Sequence, residues 1–135
     1  MSPARILIVE DNADGLELLA TILRDWGYLC DEAADGATAL AHIDQHCPDV
    51  IISDLVMPGM GGLDLLRAIK AKECASAFFL LTGHASVTIA VEAIEEGADE
   101  CIVKPVELET LLALLERRGF FGHTDRRITD RRKRT

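Results

Sequence analysis

Five short apolar runs recur along the chain at intervals of roughly 20 to 25 residues, each followed by a stretch whose apolar residues fall at helical spacing. The runs cover residues 5–9, 28–33, 50–54, 77–81 and 100–103. Strands separated by helices pair in parallel, and right-handed crossovers then place helices on both faces of one sheet. The alternation therefore predicts an α/β fold, a doubly wound parallel sheet of five strands in three layers. Leu16, Leu19, Ile22 and Leu23 form one helical face that runs out near Gly27. Ala37, Leu40, Ala41 and Ile43 are expected to face inward until Pro48 forbids continuation. Leu63, Leu66 and Ile69 follow a loop containing Gly59, Gly61 and Gly62. Val87, Ala90, Val91 and Ile94 lead to Gly97, a natural left-handed cap, and Leu108, Leu111, Leu112 and Leu115 close the core.

The middle run is the most informative. Val50-Ile51-Ile52-Ser53-Asp54 is apolar on both faces, as a strand covered by helices on both sides must be, and it ends on a carboxylate before Met57-Pro58-Gly59 turns the chain. Open α/β sheets bind ligands outside the carboxyl ends of their strands. Parallel packing brings the other strand tips there too: Glu10 and Asp11 after the first, Thr82 after the fourth, Lys104 after the fifth. Each residue alone also reads blandly, Asp54 and Asp11 as turn or cap aspartates and Lys104 as a surface amine. Together they make an oxygen-rich cluster. Three carboxylates about 4 Å apart repel by roughly 4 kcal/mol per pair at an effective dielectric near 20, so the cluster calls for protonation or a hard cation. Oxygen ligands without Cys or His favour Mg²⁺.

Charge divides the chain. Residues 1–116 carry 6 Lys/Arg against 21 Asp/Glu, a net of −15, and residues 117–135 carry 8 against 2, a net of +6; together they give −9. An acidic body repels nucleic acid and attracts cations. The basic segment, with Arg126, Arg127, Arg131, Arg132, Lys133 and Arg134, is too short to build a core and is expected to be a mobile extension, neither a nucleic-acid arm nor a membrane anchor. No apolar run approaches a membrane span and Met1-Ser2-Pro3-Ala4-Arg5 leads straight into a strand, so the expected location is the cytoplasm. Cys30, Cys47, Cys74 and Cys101 show no C-x-x-C spacing and are expected to be apolar fillers in a reducing compartment, neither a disulfide frame nor a zinc site. His42 and His46 lie four apart with no further ligands at metal-site spacing, and are expected to be solvated.

Ile8-Val9-Glu10-Asp11-Asn12, residues 53–59, Leu81-Thr82-Gly83-His84 and residues 97–105, in this order, resemble the receiver domain of bacterial two-component response regulators, of the stand-alone chemotaxis-regulator kind. The resemblance covers residues 5 to 117 and implies a flavodoxin-like strand order, 2-1-3-4-5, in a receiver domain over residues 1–118 with 119–135 as the basic tail. By the same resemblance Asp54 is the phosphoacceptor, Thr82 and Lys104 contact the phosphoryl group, and Mg²⁺ is held by Glu10, Asp11, Asp54 and the backbone carbonyl of Val56. It further implies a histidine kinase or histidine phosphotransfer protein as donor and a protein effector downstream. The output face would be the fourth helix, fifth strand and fifth helix, in a monomer or a phosphorylation-dependent homodimer. Neither specific nucleic acid nor a membrane is expected as partner. Such a chain catalyses only its own phosphorylation and dephosphorylation. Many receivers carry Tyr or Phe three residues before the lysine; Cys101 stands there here. His84, two residues after Thr82, either overhangs the acceptor site or faces solvent.

Other classes are weighed against this reading. An aspartate-nucleophile phosphatase places its nucleophile in D-x-D after the first strand, where this chain has Glu10-Asp11-Asn12. A nucleotide hydrolase needs a phosphate-binding G-x-x-x-x-G-K-[ST], which is absent from the sequence. A docking module that has lost phosphorylation would not need the full acceptor set.

Overall fold

In the computed structural model, which describes residues 2–83 and 87–122, the apolar runs become β1 (Arg5–Val9), β2 (Leu29–Ala33), β3 (Val50–Asp54), β4 (Ala77–Thr82) and β5 (Glu100–Val103). All neighbours pair in parallel, in the order β2-β1-β3-β4-β5. Between and after them lie α1 (Ala13–Asp25), α2 (Gly36–Gln45), α3 (Gly62–Ala71), α4 (Val87–Glu95) and α5 (Leu108–Arg117). The doubly wound sheet expected from the alternation, in the flavodoxin-like order that the resemblance implies, is the fold observed.

Strand residues alternate between two cores, as the two-residue period of a strand requires. Ile6, Ile8, Val50, Ile52, Phe79 and Leu81 pack with α1 and α5, whereas Leu7, Val9, Ile51, Phe78 and Leu80 pack with α2, α3 and α4. Helix starts are set by side chains: Asn12 accepts from the Gly15 N–H at 2.9 Å and Asp35 from the Thr38 N–H at 2.7 Å. The Thr38 hydrogen bonds hold the Asp35 carboxyl below its usual range. Gly97 does take a left-handed φ of 109° after α4.

Two helix faces differ from the expected ones. In α2 the cap at Asp35 fixes a phase that buries Gly36, Ala39 and Ile43, leaves Leu40 half-buried and turns Ala37 and Ala41 to solvent. In α4 Ala93 is buried, while Val91 and Ile94 are 49 % and 50 % exposed, because this helix lies over the edge strand β5 with no further strand beyond it to cover. His42 and His46 are exposed, as expected.

The cysteine expectation is corrected in one half. Cys47 and Cys74 form a disulfide, while Cys30 and Cys101 are free thiols. Local spacing missed the pair because its partners are joined through the sheet. Val50 pairs with Ala77, so the residues three places upstream of each strand face one another at the same edge.

Residues 119–122 are not loose. Phe120 packs against the α1/α5 core, Tyr28 Oη donates to the Phe120 carbonyl at 2.8 Å, and the Ala4 N–H donates to the Phe121 carbonyl at 2.9 Å. The readings of His84 and of the basic segment from residue 123 onward lie outside the described residues.

Candidate functional site

Register brings the candidate site residues level. Val9 pairs with Ser53, Asp54 with Leu81, and Thr82 with Val103, so the residues that end β1, β3, β4 and β5 meet along one edge. The ladders extend past the strands: the Glu10 N–H donates to the Ala33 carbonyl at 3.1 Å, the Leu55 N–H to Leu81 at 2.8 Å, and the Lys104 N–H to Thr82 at 2.7 Å. The Lys104–Pro105 peptide is cis.

Gly62 completes the floor. A Cβ at this position would lie 2.5 Å from the Asp54 carbonyl oxygen and 2.7 Å from Leu80 Cδ1, so only glycine lets α3 begin this close to Asp54. In the sequence this residue reads as one of three loop glycines; its close approach to Asp54 is visible only once the helix is docked.

Asp54 is 8 % exposed, Glu10 8 % and Thr82 2 %, whereas Asp11 is exposed. Lys104 Nζ stands 3.2 Å from Asp54 Oδ1 and 3.1 Å from Glu10 Oε2. Burial pulls the Lys104 ammonium down, but hydrogen bonds and charge from Glu10 and Asp54 more than offset this and hold its pKa above the ordinary value. Asp54 Oδ1 also accepts from the Leu55 N–H at 3.1 Å, and Glu10 Oε1 accepts from the Asn12 N–H at 3.2 Å. Both buried carboxylates are thereby held by backbone as well as by the lysine.

One carboxylate oxygen from each of Glu10, Asp11 and Asp54 lies within 4.8 Å of the others. Three negative charges and one ammonium leave the cluster a formal two charges short of neutrality. A small divalent cation with an affinity for oxygen fits that donor set and that deficit. Val56, two residues past Asp54, is 63 % exposed in the loop that follows β3. The structure thus brings Glu10, Asp11, Asp54, Thr82 and Lys104 to one edge, with Val56 beside it.

Two features flank the site, and only the first was not legible in the sequence. A groove of about 460 Å³ runs from Glu10 and Lys104 between α1 and the Pro105–Leu108 segment, with Leu18 standing 63 % exposed on its wall. On the other side, Val91, Ile94 and Val103 expose apolar surface across α4 and β5. Cys101 is half-buried against the α2–α4 core, and burial raises its thiol pKa.

Comparison with known proteins identifies the arrangement. The family model of the response regulator receiver domain matches residues 6–116. The chain is 35 % identical over 112 residues to the transcriptional regulatory protein ZraR of Escherichia coli (strain K12), covering 83 % of this chain and 25 % of that one. It is 34 % identical over 114 residues to the DNA-binding response regulator MtrA of Mycobacterium tuberculosis, covering 84 % and 50 %. The chain thus spans a quarter to a half of the length of these curated relatives. Among solved structures it resembles the chemotaxis protein CheY4 of Vibrio cholerae, with TM-score 0.81, 35 % identity, and coverage of 86 % of this chain and 98 % of that one. A CheY-like receiver domain protein of Methanospirillum hungatei JF-1 superposes with TM-score 0.81 at 28 % identity, covering 99 % and 100 %. On the matched span, on these identities and on the strand order, the chain belongs to the response regulator receiver domain family.

Proposed function

We propose that the protein is a phosphorelay acceptor whose Asp54 takes a phosphoryl group from a phosphohistidine, on a histidine kinase or a histidine phosphotransfer protein. The observation that carries this reading is the buried Asp54 carboxylate at the tip of β3, pinned by the Leu55 N–H and Lys104 and flanked by Glu10 and Asp11. A carboxylate can displace imidazole from phosphorus, forming the acyl phosphate as the P–N bond breaks, if charge on the transferring group is neutralised. Bound at the cluster, Mg²⁺ would supply that neutralisation; Glu10, Asp11, Asp54 and the Val56 carbonyl would hold it. Lys104 is already within reach of both the acceptor and Glu10, and Thr82 is buried on the neighbouring tip, where its hydroxyl can hydrogen-bond the phosphoryl oxygen once transfer has occurred.

The groove beside α1, apolar along Leu18, Leu19, Ile22 and Pro105 and opening onto Glu10 and Lys104, is the surface that suits the donor. The exposed apolar residues of α4 and β5 suit the effector, in a monomer or a homodimer formed on phosphorylation. The domain acts in the cytoplasm and catalyses only its own phosphorylation and dephosphorylation. No helix among the described residues is long and apolar enough to cross a membrane. Incubation with acetyl phosphate and Mg²⁺ tests the reading: phosphate should appear by mass spectrometry on the peptide containing Asp54, and vanish when Mg²⁺ is chelated. Labelling of another residue, or labelling indifferent to the metal, would overturn it.

A further inference from the structure

We propose that Cys47 and Cys74 form a reversible thiol–disulfide exchange site, opened by a dithiol, at the edge of the sheet opposite Asp54. The pair joins the turn before β3 to the turn before β4, 27 residues apart in sequence, with Cα atoms 5.8 Å apart. Its alignment does not depend on the bond. The parallel register of Val50 with Ala77 sets both cysteines three residues upstream of paired positions. The same turns are tied by the Ala77 N–H to the Asp49 carbonyl at 3.0 Å and by the Ser76 hydroxyl to the Pro48 carbonyl, and the first of them is anchored to β1 by the Asp49 N–H to the Arg5 carbonyl at 2.9 Å. Opening the disulfide therefore leaves the two sulfurs facing one another, ready to close again.

Access favours exchange at one sulfur. Cys47 is exposed and Cys74 half-buried, so a dithiol's thiolate reaches Cys47 Sγ and expels Cys74 as a thiolate. The second thiol of the reductant, deprotonated, then attacks the mixed disulfide and releases Cys47; two electrons and two protons pass from the dithiol, which leaves as its own disulfide. Ser76 Oγ lies 3.1 Å from Cys74 Sγ and, with its own proton on the Pro48 carbonyl, can accept a hydrogen bond from the Cys74 thiol once that sulfur is protonated. The remaining cysteines stay out of the exchange. Cys30 and Cys101 lie on β2 and β5, and burial raises both thiols, Cys30 to about 11, which leaves little thiolate to compete.

The bond closes a loop that contains all of β3 and all of α3, including Asp54 at the far end of its strand. Where dithiols abound the site stands open, and it closes under oxidation; what changes is how firmly the acceptor's strand is held, while the acceptor chemistry persists. Loop-closure entropy for such a span corresponds to a thermal midpoint about 10 °C lower in the open form.

The test alkylates the full native chain with and without dithiothreitol, maps the modified cysteines, and follows the thermal midpoint. Two further cysteines, 47 and 74, should become reactive with dithiothreitol, the midpoint should fall by about 10 °C, and oxidised glutathione should restore both. A Cys47→Ser variant should melt low in either condition; the alkylation pattern of the parent decides the matter even if that variant folds poorly. A bond that opens only in denaturant, free thiols that oxidised glutathione cannot join, or an unchanged midpoint on opening would each overturn the proposal. Phosphate uptake at Asp54, expected to be equal in both forms, is scored separately, so failure of the acceptor reading leaves this result standing.

Discussion

Replacing Asp54 by Asn removes one charge from a crowded cluster without changing its shape, and the distances set the sign of the effect. At an effective dielectric near 20, Lys104 attracts Asp54 across 3.2 Å by about 5 kcal/mol, while Glu10 and Asp11, each with an oxygen within 4.8 Å, repel it by at least about 3.5 kcal/mol apiece. The two repulsions exceed the attraction by about 2 kcal/mol, and because Asp11 is exposed and screened by solvent, a gain of about 1 kcal/mol is expected for Asp54→Asn. The amide oxygen can still accept from the Leu55 N–H, so no hydrogen bond is lost to offset the gain. Without divalent ions the variant should therefore melt about 4 °C above the parent. Mg²⁺ at ten times its dissociation constant should add about 1.4 kcal/mol to the parent and less to the variant, which narrows or inverts the difference. Thermal unfolding of both proteins, in a chelator and in excess Mg²⁺, measures the four midpoints. A variant that melts below the parent in the chelator would show that the Lys104 attraction outweighs the crowding.

Lys104 has its pKa raised above 10.5, so its ion pairs stabilise the fold fully below that pH and are lost as pH rises through the higher folded value. The stability difference between the parent and Lys104→Met should accordingly stay flat from pH 7 to about 10 and change only above it; closure of the difference by about pH 9 would contradict the assignment. Gly62→Ala must push α3 away from the Asp54 carbonyl and should cost about 2 kcal/mol in urea unfolding, whereas Gly15→Ala, whose Cβ would meet nothing nearer than 3.5 Å, should gain about 0.5 kcal/mol. Equal effects would refute the close-approach reading. Truncation after Gly122 should leave stability nearly unchanged, but truncation after Arg118 should cost about 2 to 4 kcal/mol by removing Phe120 and the hydrogen bonds to Tyr28 and Ala4.

The strands were legible because each is a dense apolar run bounded by turn residues, and their parallel pairing followed from the helices between them. Asp54, Glu10, Asp11, Thr82 and Lys104 were legible for the same reason: each sits at the end of a run, and parallel strands end on one edge. Helix faces were less so. In α2 and α4 the short apolar residues Ala37, Ala41, Val91 and Ile94 carry the right period, but which side is buried depends on the cap at Asp35 and on how far the sheet extends under α4. The Cys47–Cys74 pair escaped because its spacing has meaning only after β3 and β4 are laid side by side. Gly62 escaped because its constraint is a contact with a carbonyl, and no pattern in one chain records that.

The hydrogen bond between the Ala4 N–H and the Phe121 carbonyl brings the first and last parts of the described body side by side, on the edge away from Asp54. A body that enters and leaves at one place behaves as a plug-in unit. It can be spliced into a surface loop of a host protein, or cut within one of its own turns and rejoined across residues 4 and 121, with little change to the two cores. It also separates attachment from chemistry: residues 4 and 121 lie at the foot of the sheet, roughly one strand length, about 16 Å, from the Asp54 tip of β3.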